Sequence, residues 1–393
     1  FALITHGIFV HFFGSELSNL PTYVGLLVVG VTLFSMKTIH IPSHLGIRLL
    51  LFIIAMVMSV LVNGSDMISI EKVLTYIKPM LLSAIVAGSV RKTSDLRALT
   101  FYIVLATVLG SVFNIYQKIT GGYVVVNEWD SSLNRKSGLR VDPNDTAMLL
   151  LFSIPLIYYR FMASRSMSGK YLNMLAALVV IVGLILTGSR SGLVVFVFLA
   201  ISLAFSQNSE GSSIGAGVSI LKKALVFIVI FSTAILFAPD YYLERVSTVL
   251  SGSEVGGSES MYVRAFLVME GVVAWYGNPI FGVGPGLFHS IVSDASSILT
   301  ASPSGHVVAH NMYLELLVEM GSLGLLAFML IAVGALKSFF ALGRGASGLP
   351  SDASLGRCYC LGLLSLLLMG LTLSQGYNSV LWFVIGLAYG VKS

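Results

Sequence analysis

From Tyr171 to Phe205 the chain is apolar almost without interruption. As one helix that run would measure roughly 50 Å at ~1.5 Å per residue, well beyond a hydrocarbon core of about 30 Å. It has to turn, and Thr187-Gly188-Ser189-Arg190-Ser191-Gly192 is the only place within it where turn-forming residues cluster. Two spans back to back, in a chain with 56% hydrophobic and 10% charged residues, define an integral membrane protein rather than a soluble domain. Backbone groups inside lipid must be satisfied within their own segment, so the spans are read as helices and the fold as all-α.

Against a span of about 20 residues, apolar windows give about twelve transmembrane helices: to about 14, then 20–36, 45–62, 73–90, 97–117, 144–160, 171–187, 191–206, 220–238, 310–336, 356–375 and 377–391. The first run is shorter than a span, so a few residues are expected to precede Phe1, and no cleavable signal pattern is evident. Pro79 and Pro155 fall within spans, where a bundle tolerates kinks because neighbours satisfy the freed carbonyl. Three parts follow: an N-terminal bundle of about nine spans over 1–238, a loop with short helices over 239–309, and C-terminal spans over 310–393.

Alternate loops carry a basic excess, among them Arg91, Lys92 and Arg97, then Arg160, Arg165 and Lys170, then Lys337, Arg344 and Arg357. By the positive-inside rule these loops and both termini are cytoplasmic, which turns Arg190, Arg264 and His310 outward. The net charge of +5 is therefore read as orientation, with no nucleic-acid partner. Short cytoplasmic loops leave no room for a nucleotide-binding domain, and no phosphate-binding glycine motif is present. Cys358 and Cys360 are too close in sequence for an ordinary disulfide and lack partners for a zinc site, so neither disulfide, metal nor cofactor is expected.

Within the outward loop, Ser258–Tyr276 reads as an amphipathic helix. Its expected apolar stripe is Met261, Ala265, Val268, Val272 and Trp275, with Asn278-Pro279 as the stop and Arg264 beside the stripe. The glycine-rich run Phe281–Ser290 then dictates a tight loop before another short helical segment.

Each candidate residue has a chemical and a plain reading. His310 is placed in the first turn of a span, where the positive helix end favours neutral imidazole, the form a general base needs; alternatively it marks the membrane edge. Glu315 and Glu319 share a helical face and either meet substrate or stay wet near the surface. Arg190 and Arg264 are either solvated or snorkelling arginines, or guanidinium forks matched to a phosphate-linked donor and its leaving diphosphate. Asp142, Pro143, Asn144 and Asp145 form a good helix start, with Asn144 and Asp145 also candidate substrate contacts. Arg135, Lys136 and Arg140 either recruit anionic groups or line a wet loop, and Lys78 either lines a cavity or snorkels.

His310-Asn311, nine intervening residues, then Gly321 and Gly324 resembles the histidine motif of bacterial O-antigen ligases. The Thr187–Gly192 turn, the Val141–Asp145 helix start and the Asn278–Phe288 run resemble further features of the superfamily of O-antigen ligases and O-antigen or exopolysaccharide polymerases. The resemblance covers about Asp142 to Gly324. It implies an all-helical fold of the class containing lipid-linked sugar transferases (glycosyltransferase C-like), with one large helical periplasmic loop. It also implies metal-independent work on undecaprenyl-diphosphate-linked glycans, with motif arginines at Arg190 and Arg264 and the essential histidine at His310.

The expectation is an inverting glycosyltransferase of the bacterial inner membrane with a periplasmic site. It would move a glycan from undecaprenyl diphosphate to lipid A-core. His310 would act as base, Arg190 and Arg264 would hold the diphosphate, and Asn311 and Glu315 would be candidate substrate contacts. The alternatives are a polymerase of the same superfamily, a transporter of an anionic solute, and a scaffold for an envelope assembly complex.

Overall fold

The computed structural model describes residues 41–64, 66–120, 143–205, 258–293, 309–344 and 350–391. Every regular element among them is an α-helix: α1 Ser43–Asn63, α2 Met67–Ser89, α3 Thr93–Thr120, α4 Pro143–Ala163, α5 Met167–Leu186, α6 Arg190–Phe205, α7 Ser258–Gly277, α8 Phe288–Ser293, α9 Met312–Gly343, α10 Pro350–Met369 and α11 Ser379–Gly390. Six of these are long and apolar enough to cross a membrane, namely α1, α3, α4, α5, α9 and α10 from Asp352. The chain is a multi-pass membrane protein. Helix α2 has comparable length but carries Glu71, Lys72 and Lys78 and is not one of the six. The expected spans to about 14, at 20–36 and at 220–238 lie outside the described residues, as do Asp142, Arg135, Lys136 and Arg140.

The helices fall into two compact units. One comprises α3 from Arg97, α4, α5, α6 and α10. Its centre is α4, buried on all sides through Leu149, Leu150, Phe152 and Leu156 and flanked by α5, α6 and α10. Without a solvent-driven hydrophobic effect between helices in lipid, small residues that let backbones approach matter more. Gly362 lies where a Cβ would reach 2.8 Å from the Phe152 ring, and Gly183 where one would reach 2.6 Å from Ser111 Oγ. At one end of this unit Arg97 Nη2 pairs with Asp352 Oδ1 at 2.7 Å.

The long apolar run turns where expected. Helix α5 ends at Leu186, Gly188 takes φ 63°, and α6 begins at Arg190. Ser189 Oγ accepts from the Gly192 N–H at 3.2 Å and so caps α6.

The other unit comprises α1, α2, α7, α8, α9 to Ala341, and α11. Helices α2 and α11 pack together, and Phe52, Phe328 and Trp382 form an aromatic knot with centroid separations of 6.0 to 6.3 Å. Tyr76 joins it edge-on to Phe52 at 5.7 Å.

Two spans differ from their sequence expectation. The expected pair 356–375 and 377–391 is instead α10 ending at Met369 and α11 starting at Ser379, joined by non-helical backbone. Asn378 caps α11, its Oδ1 accepting from Val380 N–H at 2.8 Å, and the Trp382 indole N–H donates to the Gly376 carbonyl at 2.7 Å. The second difference lies in α9, where Gly321 adopts φ 67°, ψ −172°.

The loop around Gly282 enters that break. Val283 N–H donates to Val318 O at 2.9 Å and Gly284 N–H to Glu319 O at 3.0 Å. Ser322 and Leu323, which in an unbroken helix would donate to those same carbonyls, donate instead to Pro279 O at 2.9 Å and Ile280 O at 3.3 Å. Two helical bonds are thus exchanged for four to the loop, which keeps irregular backbone satisfied. Glycine is required on both sides: a Cβ at Gly321 would collide with the Ile280 carbonyl, and one at Gly282 with the Val318 carbonyl.

Candidate active site

The histidine motif opens α9. Asn311 is its N-cap, with Oδ1 accepting from the Tyr313 and Leu314 N–H groups at 3.0 and 3.1 Å. His310 therefore lies one residue before the cap, not in the first turn as the sequence suggested, because the asparagine side chain claims the orphan helix donors. His310 is exposed and left-handed, with φ 49°, between buried Ala309 and the cap. Among the described residues it is the only one other than glycine with positive φ. Side chains that hold such a backbone do so against a steric cost.

Ala309 belongs to an apolar cluster with Leu267 of α7, Phe288 and Val292 of α8, and Leu314 and Val318 of α9. Helix α7 meets α9 closely because Gly271 has no side chain; a Cβ there would sit 3.0 Å from Leu314 Cδ1. The α7 face is not the expected one. Leu267 and Gly271 are buried and Phe266, Ala274 and Trp275 pack against the cluster, whereas Ala265, Val268 and Val272 are exposed. The Met261 side chain lies outside the described residues. Arg264 is half-buried one turn before Leu267 on the same face. Arg264 is three residues before Leu267 and His310 directly follows Ala309, and both of those neighbours belong to this cluster.

Behind the histidine, α9 carries two carboxylates into the interior. Glu315 and Glu319 are both buried, so neither is a wet surface acid. Lys72 Nζ of α2 lies 2.6 Å from Glu315 Oε1, and its ammonium stands 4.5 Å from the centroid of the Tyr377 ring. Tyr377 in turn meets Tyr76 edge-on at 5.9 Å. The backbone N–H groups of Gly286 and Phe288 donate to the Glu319 carboxylate. The Glu319 carbonyl also accepts from Ser59 Oγ at 2.8 Å, and Asn63 Nδ2 donates to the Gly282 carbonyl at 3.0 Å. Lys72 and Glu315 thus form a buried ion pair, with the buried Glu319 carboxylate one helical turn further along α9.

The glycine-rich loop, the helix break and this charged group form one construction beneath the His310 end of α9. Sequence reading missed Lys72, Tyr76 and Tyr377. The available signal was Ser69, Lys72 and Tyr76 at helical three-and-four spacing, all on one face of α2.

In the other unit, Arg190 is half-buried at the first position of α6, where Ser189 and Gly188 hold the turn. Asn144 and Asp145 are half-buried in the first turn of α4, which begins at Pro143 as expected. Arg140 lies outside the described residues. Lys78 is exposed on α2, away from the buried charges. Among the described residues, no group of three His, Cys, Asp or Glu side chains is placed to hold a metal.

An all-helical multi-pass membrane protein with a broken span, a loop seated in the break and a histidine at the helix mouth is the class these observations define. Residues 175–329 match the family model described as O-antigen ligase, a match that supports the superfamily of O-antigen ligases and polymerases. The matched stretch contains Arg190, Arg264, His310, Gly321 and Gly324. No curated protein matches the chain.

Proposed function

We propose that the protein is an O-antigen ligase, an inverting glycosyltransferase acting at the periplasmic face of a bacterial inner membrane. The observation that carries this reading is the family match over 175–329, which takes in His310 and both motif arginines. A shared site is supported by the sequence neighbours of Arg264 and His310, Leu267 and Ala309, which belong to one apolar cluster. In the proposed reaction the acceptor hydroxyl oxygen of lipid A-core attacks the anomeric carbon of the donor sugar. The bond from that carbon to the diphosphate oxygen breaks, undecaprenyl diphosphate leaves with the electron pair, and the hydroxyl proton passes to His310. Arg190 and Arg264 offer fixed positive charge to the departing diphosphate. Exposure of His310 at the helix mouth suits a base that must meet a bulky acceptor.

Purified protein in liposomes, given an undecaprenyl-diphosphate-linked glycan and lipid A-core, tests this. Glycan on lipid A-core is the expected product. Growth on the carrier alone would make the protein a polymerase, and movement of the donor without transfer would make it a transporter.

A further inference from the structure

From Ala265 to Tyr276, α7 carries a single charged residue, Glu270. Its protein-facing side holds Leu267 and Gly271, yet the opposite side is apolar too, exposing Val268, Met269, Val272, Val273 and Tyr276. A helix that is apolar all round belongs in a core or in lipid, not in a water-filled loop. The exposed face also does not end with the helix. Ile280 is exposed, its carbonyl accepts from Leu323 N–H, and Leu323 is exposed in turn. From there the strip runs down α9 through Leu326, Leu330 and Val333, at the three-and-four spacing of one helical face.

Before Gly321 the position is reversed. Among the described residues α9 exposes no large apolar side chain between Met312 and Ser322, and the α7–α8 cluster covers that segment. The outward surface of α7 therefore takes the place that α9's own outer face holds beyond the break. Trp275, whose indole N–H donates to Ser322 Oγ at 3.2 Å, and the exposed Tyr276 stand at the seam.

We infer that the Val268, Met269, Val272, Val273 and Tyr276 face of α7 is buried in the acyl chains of the outer part of the bilayer, continuous with the lipid-facing strip of α9. The occupant is the membrane itself. Unlike a headgroup-floating helix with a basic polar face, α7 is held between the bundle and lipid. This placement does not depend on the glycosyl-transfer reading.

The test uses the full chain reconstituted in liposomes with Cys358→Ser and Cys360→Ser. Nitroxide is attached in turn to Val272→Cys, Tyr276→Cys, Leu326→Cys as lipid reference and Glu71→Cys as water reference. The expected result is an oxygen-over-nickel accessibility at Val272 and Tyr276 that matches Leu326 and stands several-fold above Glu71. Nickel accessibility equal to that at Glu71 would overturn the proposal by placing the face in water. Protection from both reagents would overturn it by placing the face under protein.

Discussion

Lys72 and Glu315, 243 residues apart in the chain, meet at 2.6 Å inside the protein, with the lysine side chain 19% and the glutamate side chain 4% exposed. The pair ties α2 to the segment of α9 that begins at the histidine motif. Because Glu319 lies one turn further and binds the loop backbone, the same contact also fixes Gly286 and Phe288. Position along α9, the glycine loop and the α8 start are thus set by one group of side chains.

Removing one member of a buried pair leaves the other uncompensated. Glu315→Ala is expected to lower stability by about 3–5 kcal/mol, read as a fall in melting temperature in detergent. The double variant Lys72→Met with Glu315→Leu removes both charges and should recover most of that loss. A double variant as unstable as Glu315→Ala would show that the pairing itself matters little.

Gly321 sits in a region of backbone space open essentially to glycine alone, and a Cβ there meets the Ile280 carbonyl. Gly321→Ala should cost about 3 kcal/mol or more, with loss of monodisperse protein on gel filtration. A variant that purifies with unchanged melting temperature would contradict the account of the break.

At the α5–α6 turn, structure and proposed chemistry separate cleanly. Ser189→Ala removes the cap on Gly192 and should cost about 1 kcal/mol, with the charge of Arg190 untouched. Arg190→Lys keeps the charge and loses the two-pronged fork, so it should fold normally while transfer falls by about 10²-fold. Equal transfer by Arg190→Lys and wild type would remove Arg190 from the diphosphate site.

Much of this was legible from composition and spacing. The turn at Gly188 followed from a run too long for the bilayer, and the end of α7 followed from Asn278-Pro279, because both depend on neighbouring residues alone. The helix break did not, since Met320-Gly321-Ser322-Leu323-Gly324 reads as ordinary apolar helix until a loop some forty residues upstream supplies the replacement hydrogen bonds. The buried face of α7 was misread because a helix apolar on every side has no periodicity to read. Lys72 stands next to Glu71 in the sequence, and nothing local to it announces Glu315.

His310 allows activity and folding to be measured apart. Its left-handed backbone costs a side-chain-bearing residue roughly 1–2 kcal/mol, so His310→Gly should be as stable as wild type or up to about 1 kcal/mol more so. The most direct measurement is transfer of a glycan from its undecaprenyl diphosphate carrier to lipid A-core by purified His310→Gly in liposomes, alongside its melting temperature. The account predicts an intact or stabilised fold with transfer abolished. Transfer at the wild-type rate by that variant would contradict it.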